Sequence, residues 1–522
     1  MTPLSTPPRA RVALLLALLA YAAVCIVTLR PEETWTAGDF SLYLLHARNL
    51  AAGLPYAATG YVQNPENALM SPAAYPPGFP LLLAPVWRLA GLDLVAFKLV
   101  IVACLAVLLT SFFALIRPVL GWKLAAAVAG IAGFMPALFD RRDQIVSDIP
   151  AAMWCYIALL LYERVRTQAG AAVPWVRARV AALGVAVALA CATRTAGFAL
   201  AGALVLVCAA RRQGPWRAML GAVVAGAAAA MLVSRLLHVD SETYLGYLAT
   251  LREEGVRGWL LGTVRAYAPG LVGVWGLSYG VAVNFVLLIL LAALTAAGWW
   301  SRVRRDASAP EAFLPAYLAL LVVFPVRQEP VRYLVPVAPL LAYYVVVALR
   351  NGLARVGRER LALPFAAVAA LALFVPYYVV HDPISRPAAS VTSADSAALF
   401  AAMRRDVGAS DLVLARNPRV LVLFTGRRAA TWPAGLTPER FWSYASRAGA
   451  GWVLDEVAPP TPDSRAAHAI VSAPGAATLA YGNEHFLLWR LPPVDNVRGG
   501  TVAPRFDAPD EPIRSNPAGG HQ

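Results

Sequence analysis

Charged residues are scarce in this sequence. They make up 14% of its 522 residues, against about 25% in an ordinary soluble domain, and 59% of the residues are hydrophobic. The hydrophobic residues form runs of about fifteen to twenty with few charges, which is typical of membrane-spanning helices. The composition therefore excludes an ordinary soluble globular protein and predicts a polytopic α-helical membrane protein.

Lysine and cysteine are also rare. Lys98 and Lys123 are the two lysines, against 43 arginines, so the choice of arginine over lysine says nothing about phosphate recognition here. All five cysteines lie in hydrophobic runs, so neither a disulfide framework nor a cysteine-based zinc site is expected in the C-terminal region. The net charge of +15 comes mostly from arginines at the ends of hydrophobic runs. Such arginines set membrane orientation, and we expect no nucleic-acid partner.

The hydrophobic runs predict about eleven transmembrane helices. We place them at residues 12–29, 94–116, 122–139, 149–163, 180–193, 196–210, 217–237, 271–299, 312–326, 331–349 and 361–380. With the N-terminus inside, eighteen basic residues lie in the cytoplasmic connections and eight on the other side, leaving out the long first loop at 30–93. This asymmetry places the first loop outside the cytoplasm, and an odd number of spans places the C-terminal region there too. We expect a multi-pass protein of the inner (plasma) membrane with a periplasmic C-terminal domain.

The sequence changes character after residue 382, where the transmembrane domain ends. Strand patterns alternate with helical patterns, which predicts a small α/β domain over residues 383–491. The strands are expected at 411–415, 451–455 and 486–490, and the helices at 393–406, 437–448 and 463–472. Two isolated histidines in this region, His468 and His485, are expected to be surface or structural residues. From 492 to 522 the chain is rich in proline, glycine and charge, which predicts disorder.

The first loop begins with a stretch that predicts a short helix. Gly38 and Asp39 stand at its start and Gly53 at its end. Apolar residues fall at helical spacing between them, so we expect one apolar face on the membrane surface, with Asp39 just above the bilayer. A role for Asp39 as a helix N-cap alone is the other explanation. A second interfacial helix is expected at 78–92.

Polar residues cluster in four places that the topology puts on one side of the membrane. Carboxylates near a low-dielectric boundary tend to have raised pKa values, which suits a general base, and neighbouring arginines suit a phosphate. Each residue alone has a structural explanation, such as a helix cap or an arginine that reaches the interface, but the four groups together favour a site. They are Asp39 with Tyr43 and His46; the connection 140–150 with Arg141 and Asp148; Thr193-Arg194-Thr195; and Arg327-Gln-Glu329-Pro-Val-Arg332-Tyr333.

The order of these motifs resembles that of the GT-C membrane glycosyltransferases, especially the branch of the protein O-mannosyltransferases and lipid A aminoarabinose transferases. The resemblance covers about residues 12–380. It rests on Gly38-Asp39-Phe-Ser-Leu-Tyr43 through Asn49-Leu-Ala-Ala-Gly53, Tyr75-Pro-Pro-Gly78-Phe-Pro80, Ser147-Asp148-Ile-Pro150, Thr193-Arg194-Thr-Ala-Gly197 and Glu329-Pro-Val-Arg332-Tyr333-Leu-Val-Pro336. One departure is Phe40, which stands where family members often have a second acid and which weakens the argument for a metal ion at the first loop.

The resemblance implies transfer of a hexose or pentose, with inversion, from a polyprenyl-phosphate donor to a glycan, lipid or protein acceptor outside the cytoplasm. By the same resemblance, Asp39 would deprotonate or orient the acceptor hydroxyl, Asp148 would assist, and arginines would stabilise the leaving phosphate. The implied donor-binding residues are Arg332, Arg327, Glu329, Arg194, Arg141, Tyr43 and Tyr75. No cofactor is certain, and a divalent metal ion stays open.

Other functions are compatible with the same sequence. A transporter or flippase for lipid-linked sugars is the main alternative, although the expected spans carry few ionisable residues at mid-depth and no paired discontinuous helices are visible. A polymerase or ligase of lipid-linked sugars and a non-catalytic membrane scaffold are further alternatives. The sequence identifies neither the sugar nor the acceptor.

Overall fold

The structure is a computed structural model of the chain. It describes residues 8–35, 38–67, 71–167, 174–239, 242–324, 327, 329–382, 385, 390–457 and 461–492. Apart from residue 492, the segment that the sequence predicts to be disordered lies outside these residues.

The described residues form nineteen α-helices and a short 3₁₀ helix at Glu359–Leu361. The first fifteen α-helices are α1 (Pro8–Val27), α2 (Asp39–Ala52), α3 (Gly78–Ala90), α4 (Leu94–Phe134), α5 (Pro136–Phe139), α6 (Asp148–Arg166), α7 (Pro174–Thr193), α8 (Gly197–Arg211), α9 (Trp216–Leu236), α10 (Glu242–Trp275), α11 (Val281–Asp306), α12 (Ala309–Val323), α13 (Pro330–Leu334), α14 (Ala338–Arg355) and α15 (Ala362–Val380). The other four are α16 (Ala394–Asp406), α17 (Pro418–Thr425), α18 (Pro438–Ala448) and α19 (Pro462–Val471).

Five helical segments in the described residues are long and apolar enough to cross a membrane, as expected of an integral membrane protein. They are Leu94–Phe134, Pro174–Thr193, Trp216–Leu236, Val281–Asp306 and Glu359–Val380. Shorter apolar helices, among them Gly197–Arg211 and Ala309–Val323, pack between them. The expected number of about eleven spans stays a prediction.

One expected span, at 271–299, is wrong as a single helix. The structure ends α10 at Trp275 and begins α11 at Val281. The Asn284 side chain accepts a hydrogen bond from the Tyr279 amide (3.1 Å) and donates to the carbonyl of Tyr279 (3.0 Å). The side chain thereby satisfies backbone groups that have no helical partner at the break. This lowers the cost of interrupting the helix within an apolar stretch.

Residues 390–492, which we call the C-terminal layer, supply five of the six strands of a sheet flanked by α16 to α19. Its six strands are β1 (Tyr61–Val62), β2 (Leu412–Leu414), β3 (Arg428–Ala430), β4 (Ala450–Glu456), β5 (Thr478–Gly482) and β6 (Phe486–Arg490), in the order β1-β3-β2-β4-β6-β5. The first four strands in this order are parallel, and β6 runs antiparallel to β4 and β5. Strands and helices stand at all six positions expected from the sequence pattern.

The long first loop is part of the same layer, because β1 belongs to that loop. Tyr61 pairs with Ala429 and Val62 with Ala430, and an isolated bridge joins Thr34 to Ser390. The sheet is therefore not confined to residues 383–491.

Helix α2 has the expected bounds but not the expected surroundings. It begins at Asp39 after Gly38 and ends before Gly53, which adopts the left-handed conformation. The sequence predicts one apolar face on the membrane surface, whereas the structure buries even its polar residues Ser41, His46 and Asn49. The reason is that α2 packs between α3 and α17 of the C-terminal layer, so little of it faces solvent.

Candidate functional site

Five charged side chains from five parts of the chain meet where the helices face the C-terminal layer. Asp39 and Asp148 are the first residues of α2 and α6, Arg194 follows the last residue of α7, and Arg332 and Arg419 lie in α13 and α17. We call these five residues the charge cluster. The two carboxylates and three guanidinium groups form one connected set of ion pairs.

Arg332 is the centre of the cluster because it contacts both acids. Its Nη1 lies 2.8 Å from Oδ2 of Asp39, and its Nε lies 3.3 Å from Oδ2 of Asp148. Nη1 also lies 3.1 Å from Oε2 of Glu329, whose side chain is 59% exposed. Arg332 thus links the start of α2 to the start of α6.

Asp148 is fully buried and has a second cationic partner. Nη1 of Arg194 forms an ion pair with its other oxygen, Oδ1, and the guanidinium of Arg194 lies over the ring of Tyr333 at 4.5 Å. A buried carboxylate is stable only when it is paired in this way.

Close backbone packing places Arg194 beside the first loop. A Cβ atom at Gly78, the first residue of α3, would lie 2.6 Å from the carbonyl carbon of Ala192 and the amide nitrogen of Thr193. Only glycine allows this approach. The motifs Tyr75-Pro-Pro-Gly78 and Thr193-Arg194 are therefore in direct contact.

The second oxygen of Asp39 faces the first loop and the C-terminal layer. Tyr75 donates its hydroxyl to Oδ1 at 2.6 Å, and Nη1 of Arg419 lies 3.3 Å from the same oxygen. Nη1 of Arg419 also donates to the Tyr75 hydroxyl oxygen at 3.0 Å. Sequence reasoning missed Arg419, because no pattern in the C-terminal region connects it to the first loop.

The two acids do not act as helix caps. The N-cap positions of α2 and α6 are occupied by the preceding residues, Gly38 and Ser147. Gly38 has no side chain, and the side chain of Ser147 makes no capping hydrogen bond. The carboxylates of Asp39 and Asp148 instead accept hydrogen bonds from arginine and tyrosine side chains. The cap explanation for Asp39 therefore has no support in the geometry.

The expectation of a raised pKa is wrong for Asp39. Burial on its own would raise the pKa of this carboxyl, but the guanidinium groups of Arg419 and Arg332 outweigh it and hold the pKa well below its usual range. The sequence argument considered the low dielectric. It placed Arg332 at the same site without pairing it with Asp39, and it did not include Arg419. Asp39 is consequently an anion at any physiological pH.

Two tyrosines extend the site from Asp39. The rings of Tyr43 and Tyr75 stack with centroids 4.4 Å apart, and the Tyr43 hydroxyl lies 2.9 Å from Oγ of Ser147, next to Asp148. Arg141 donates to the Gln144 side chain at 2.6 Å and lies close enough to Asp148 and Arg332 to interact electrostatically.

Two residues from the same sequence groups lie elsewhere. Arg327 forms an ion pair with Glu254 (2.6 Å) and lies over the ring of Trp259, outside the cluster. His46 is buried, with Nδ1 at 2.9 Å from the Tyr56 carbonyl and its ring stacked on the Tyr56 ring. Burial lowers the pKa of His46 to about 4, so it is a neutral packing residue.

The cluster does not fit a metal ion. Three guanidinium groups already surround the two carboxylates, and a divalent cation placed between them would be repelled by all three.

Elsewhere in the described residues, Asp395, Glu484 and His485 lie close enough together to share an ion. His485 Nδ1 lies 2.5 Å from Oδ2 of Asp395, and His468 likewise pairs with Asp455 (2.6 Å), so neither histidine is isolated.

An apolar cavity of about 460 Å³ lies beside the cluster. Helices α10, α11, α12 and α14 line it, together with Leu334 of α13, two residues beyond Arg332. None of the five residues of the charge cluster lines the cavity. The cavity therefore approaches the cluster at Leu334.

Comparisons with known proteins support the fold and not a particular reaction. The sequence matches no protein-family model and no curated protein. Two crystal structures of ArnT from Cupriavidus metallidurans are similar in fold, one bound to undecaprenyl phosphate (16% identity, TM-score 0.55) and one in the apo state (14%, 0.56). Both similarities cover 92% of this chain, and they cover 97% and 98% of the ArnT chains.

A second similar protein is archaeal. The oligosaccharyltransferase AglB from Archaeoglobus fulgidus, in complex with an inhibitory peptide and a dolichol-phosphate, is 13% identical with a TM-score of 0.56, over 86% of this chain and 70% of that chain. ArnT and AglB both have the GT-C fold. The chain described here has the GT-C fold, as the order of its motifs predicts.

Proposed function

We propose that this protein is a membrane glycosyltransferase that moves a sugar from a polyprenyl-phosphate donor to an acceptor outside the cytoplasm. The observation that carries the proposal is the charge cluster, in which Arg332 joins Asp39 to Asp148 beside an apolar cavity. A polar group that binds phosphate next to an apolar wall is what a lipid-linked sugar requires.

The charge of the cluster suits a phosphate that gains charge during the reaction. Three arginines face two buried or half-buried carboxylates. In the proposed transfer, the acceptor oxygen forms a bond to the anomeric carbon while the bond from that carbon to the phosphate oxygen breaks. The leaving polyprenyl phosphate carries one more negative charge than the donor diester, and arginines placed beforehand stabilise that charge.

Two buried hydroxyl groups beside Arg194 are also available to a ligand. The Thr193 and Tyr317 hydroxyls find no hydrogen-bond partner among the described residues. A buried polar atom without a partner is costly. Both could donate to a phosphate held by Arg194, which would remove that cost.

Asp39 is the proposed contact for the acceptor. As an anion about a quarter exposed, it can accept a hydrogen bond from the acceptor hydroxyl and take its proton as the new bond forms. Its low pKa makes it a weak base for the free hydroxyl. Its proposed contribution is therefore mainly to orient the hydroxyl and to take the proton late.

The proposal includes the orientation of the protein. The uneven distribution of basic residues supports a plasma-membrane protein whose C-terminal layer, and with it the charge cluster, lies outside the cytoplasm. A reporter enzyme that is active only outside the cytoplasm, fused after residue 400, tests this; an inactive fusion would contradict it.

Transfer is tested with purified protein and membrane extract. The protein is incubated with a panel of radiolabelled polyprenyl-phosphate sugars, and the label is followed into glycan, lipid and protein fractions. We expect label from at least one donor in one fraction. Donor binding without transfer, together with uptake of the donor across vesicles, would favour a transporter or flippase instead, and repeated addition of sugars would indicate a polymerase.

The apolar cavity gives a prediction about donor length. Ala292 lines the cavity from α11, so Ala292→Trp should fill part of it and exclude the polyprenyl chain. We expect the KM for a long-chain donor to rise about 10-fold, which corresponds to about 1.4 kcal/mol, while a donor with two isoprene units is unaffected. Steady-state kinetics with both donors measures the difference.

The adjacent residue provides the control for this prediction. Ala293 is exposed on the same helix and does not line the cavity, so Ala293→Trp should leave both KM values unchanged. An equal effect of the two substitutions, or of Ala292→Trp on both donors, would show that the chain binds elsewhere.

A further inference from the structure

Arg419 reaches the charge cluster from the C-terminal layer. It is the second residue of α17, 380 positions after Asp39, and its side chain is 12% exposed. Its Nη1 lies 3.3 Å from Oδ1 of Asp39 and 3.0 Å from the Tyr75 hydroxyl. A charge this deeply placed must be compensated, and Asp39 is the acid that it contacts.

The packing around Asp39 leaves space for this guanidinium. A Cβ atom on Gly38 would lie 3.3 Å from Nη2 of Arg419, closer than most side-chain contacts allow. The two oxygens of Asp39 are then divided between two arginines: Oδ2 faces Arg332, and Oδ1 faces Arg419 and Tyr75.

The position of Arg419 is fixed by several contacts between the C-terminal layer and the first loop. Asn64 donates to the Thr431 carbonyl at 2.9 Å, Asn67 donates to the Trp432 carbonyl at 2.8 Å, and Glu66 forms an ion pair with Arg447. Together with the pairing of β1 and β3, these contacts hold α17 over α2.

Binding of a donor phosphate would affect the contacts of Arg332 and of Arg419 with Asp39 differently. Arg332 also contacts Asp148, and it lies next to the apolar cavity through Leu334. A donor phosphate there would compete with Asp39 for Arg332. Arg419 lies on the opposite oxygen of Asp39, so it would keep its contact when Arg332 turns to the phosphate.

We propose that Arg419 is a positioning residue for the transfer reaction, which holds the Asp39 carboxylate while Arg332 binds the donor phosphate. The catalytic centre is then complete only when the C-terminal layer is docked on the first loop. The inference rests on the proposed function, and it assigns to the C-terminal layer a part in that site.

The expected pH effect follows from the groups that face Asp39. These are Arg332 of α13, Arg419 of α17, Tyr75 before α3 and Tyr43 of α2, with Asp148 and Arg194 beyond Arg332. Loss of Arg419 removes one of the two cations that keep Asp39 ionised, so its pKa should rise. Because that pKa lies well below its usual range and Arg332 and Tyr75 stay in contact with the carboxylate, Asp39 remains ionised at neutral pH in the variant. The rise in pKa should therefore be seen in the reactivity of Asp39 toward reagents for protonated carboxyl groups, and the loss of transfer should come from poorer orientation of the carboxylate.

The test compares Arg419→Gln, Arg419→Lys and the wild type in transfer assays at neutral pH. We expect Arg419→Gln to lower kcat about 10-fold and to leave the donor KM nearly unchanged. Arg419→Lys should recover much of the loss, because it restores the charge. If glutamine impairs folding, Arg419→Met keeps the length of the side chain and takes its place.

Arg405→Gln is the matched control, since Arg405 is an exposed residue of α16 that pairs with Asp406, away from the cluster and from the first loop. It should leave kcat and the donor KM nearly unchanged. A kcat of Arg419→Gln equal to that of the wild type would overturn the positioning role.

A second measurement separates this inference from the proposed function. A hydrophobic carbodiimide reacts with protonated carboxyl groups, so labelling of Asp39, followed by mass spectrometry across pH, reports its protonation without any transfer reaction. Labelling of Arg419→Gln should begin at higher pH than labelling of the wild type and of Arg405→Gln. Unshifted labelling overturns the inference even if transfer is observed, and shifted labelling without transfer in the wild type would mean that the proposed function alone has failed.

Discussion

Asp39→Asn should lower sugar transfer by roughly 10²-fold or more at neutral pH, with the protein still folded in the membrane. Asparagine keeps the shape of the side chain and can still accept the hydrogen bond from Tyr75. It loses the negative charge that orients the acceptor hydroxyl and takes its proton. The rates of the variant and of the wild type are compared with the same donor and acceptor, and folding is checked by size-exclusion chromatography.

A second aspartate at the start of a helix provides the control. Asp93 is the N-cap of α4 and accepts hydrogen bonds from the amides of Val95 (2.9 Å) and Ala96 (3.2 Å). Asparagine serves nearly as well at an N-cap, so Asp93→Asn should transfer at the wild-type rate. Transfer by Asp39→Asn within about twofold of the wild type would remove Asp39 from the reaction.

The proximity of the four motifs could be anticipated from the sequence, because membrane topology restricts where a connection can lie. Asp148, Arg194 and Arg332 each stand at or near an end of a hydrophobic run, and Asp39 lies in the long loop after the first run, all on the side that the basic residues predict. In a bundle of spans, helix ends on one side share one surface. A single sequence normally does not show which distant residues lie close together. In a membrane protein, the side of the membrane on which each residue lies supplies part of that information.

Arg419 could not be found in this way. It lies in a short helix whose contact with α2 depends on the docking of the C-terminal layer. Neither periodicity nor charge patterning encodes such docking. The same omission contributes to the wrong expectation for the pKa of Asp39, since Arg419 together with Arg332 outweighs the effect of burial. The apolar cavity could not be predicted from the sequence either, because it arises from the packing of four helices.

Arg327 and Arg332 lie in one short sequence motif, and the sequence alone does not show which of them contacts the two acids. Five positions separate them, and the sequence offers both as phosphate ligands. In the structure, α13 begins at Pro330 and directs Arg332 to the two acids, whereas Arg327 pairs with Glu254. The two arginines therefore form a natural pair of test and control substitutions.

Arg332→Gln should weaken both the site and the protein. Its guanidinium is 13% exposed and contacts Asp39 and the fully buried Asp148, so its removal leaves each acid with fewer cationic partners. Breaking a buried ion pair from one side costs about 3–5 kcal/mol. We expect a clear drop in the thermal unfolding midpoint, which donor or polyprenyl phosphate should no longer raise as it raises that of the wild type.

Donor titrations distinguish a phosphate ligand from a structural residue in the same variants. Arg332→Gln should raise the donor KM or lower kcat strongly, with less change in the apparent affinity for the acceptor, and Arg332→Lys should recover part of the loss. Arg327→Gln removes an ion pair that is about one-third exposed and is worth about 0–1 kcal/mol, so its titration should match the wild type. If the Arg332→Gln curve also matches the wild type, the donor phosphate is held elsewhere, and Arg194 and Arg141 become the residues to substitute next.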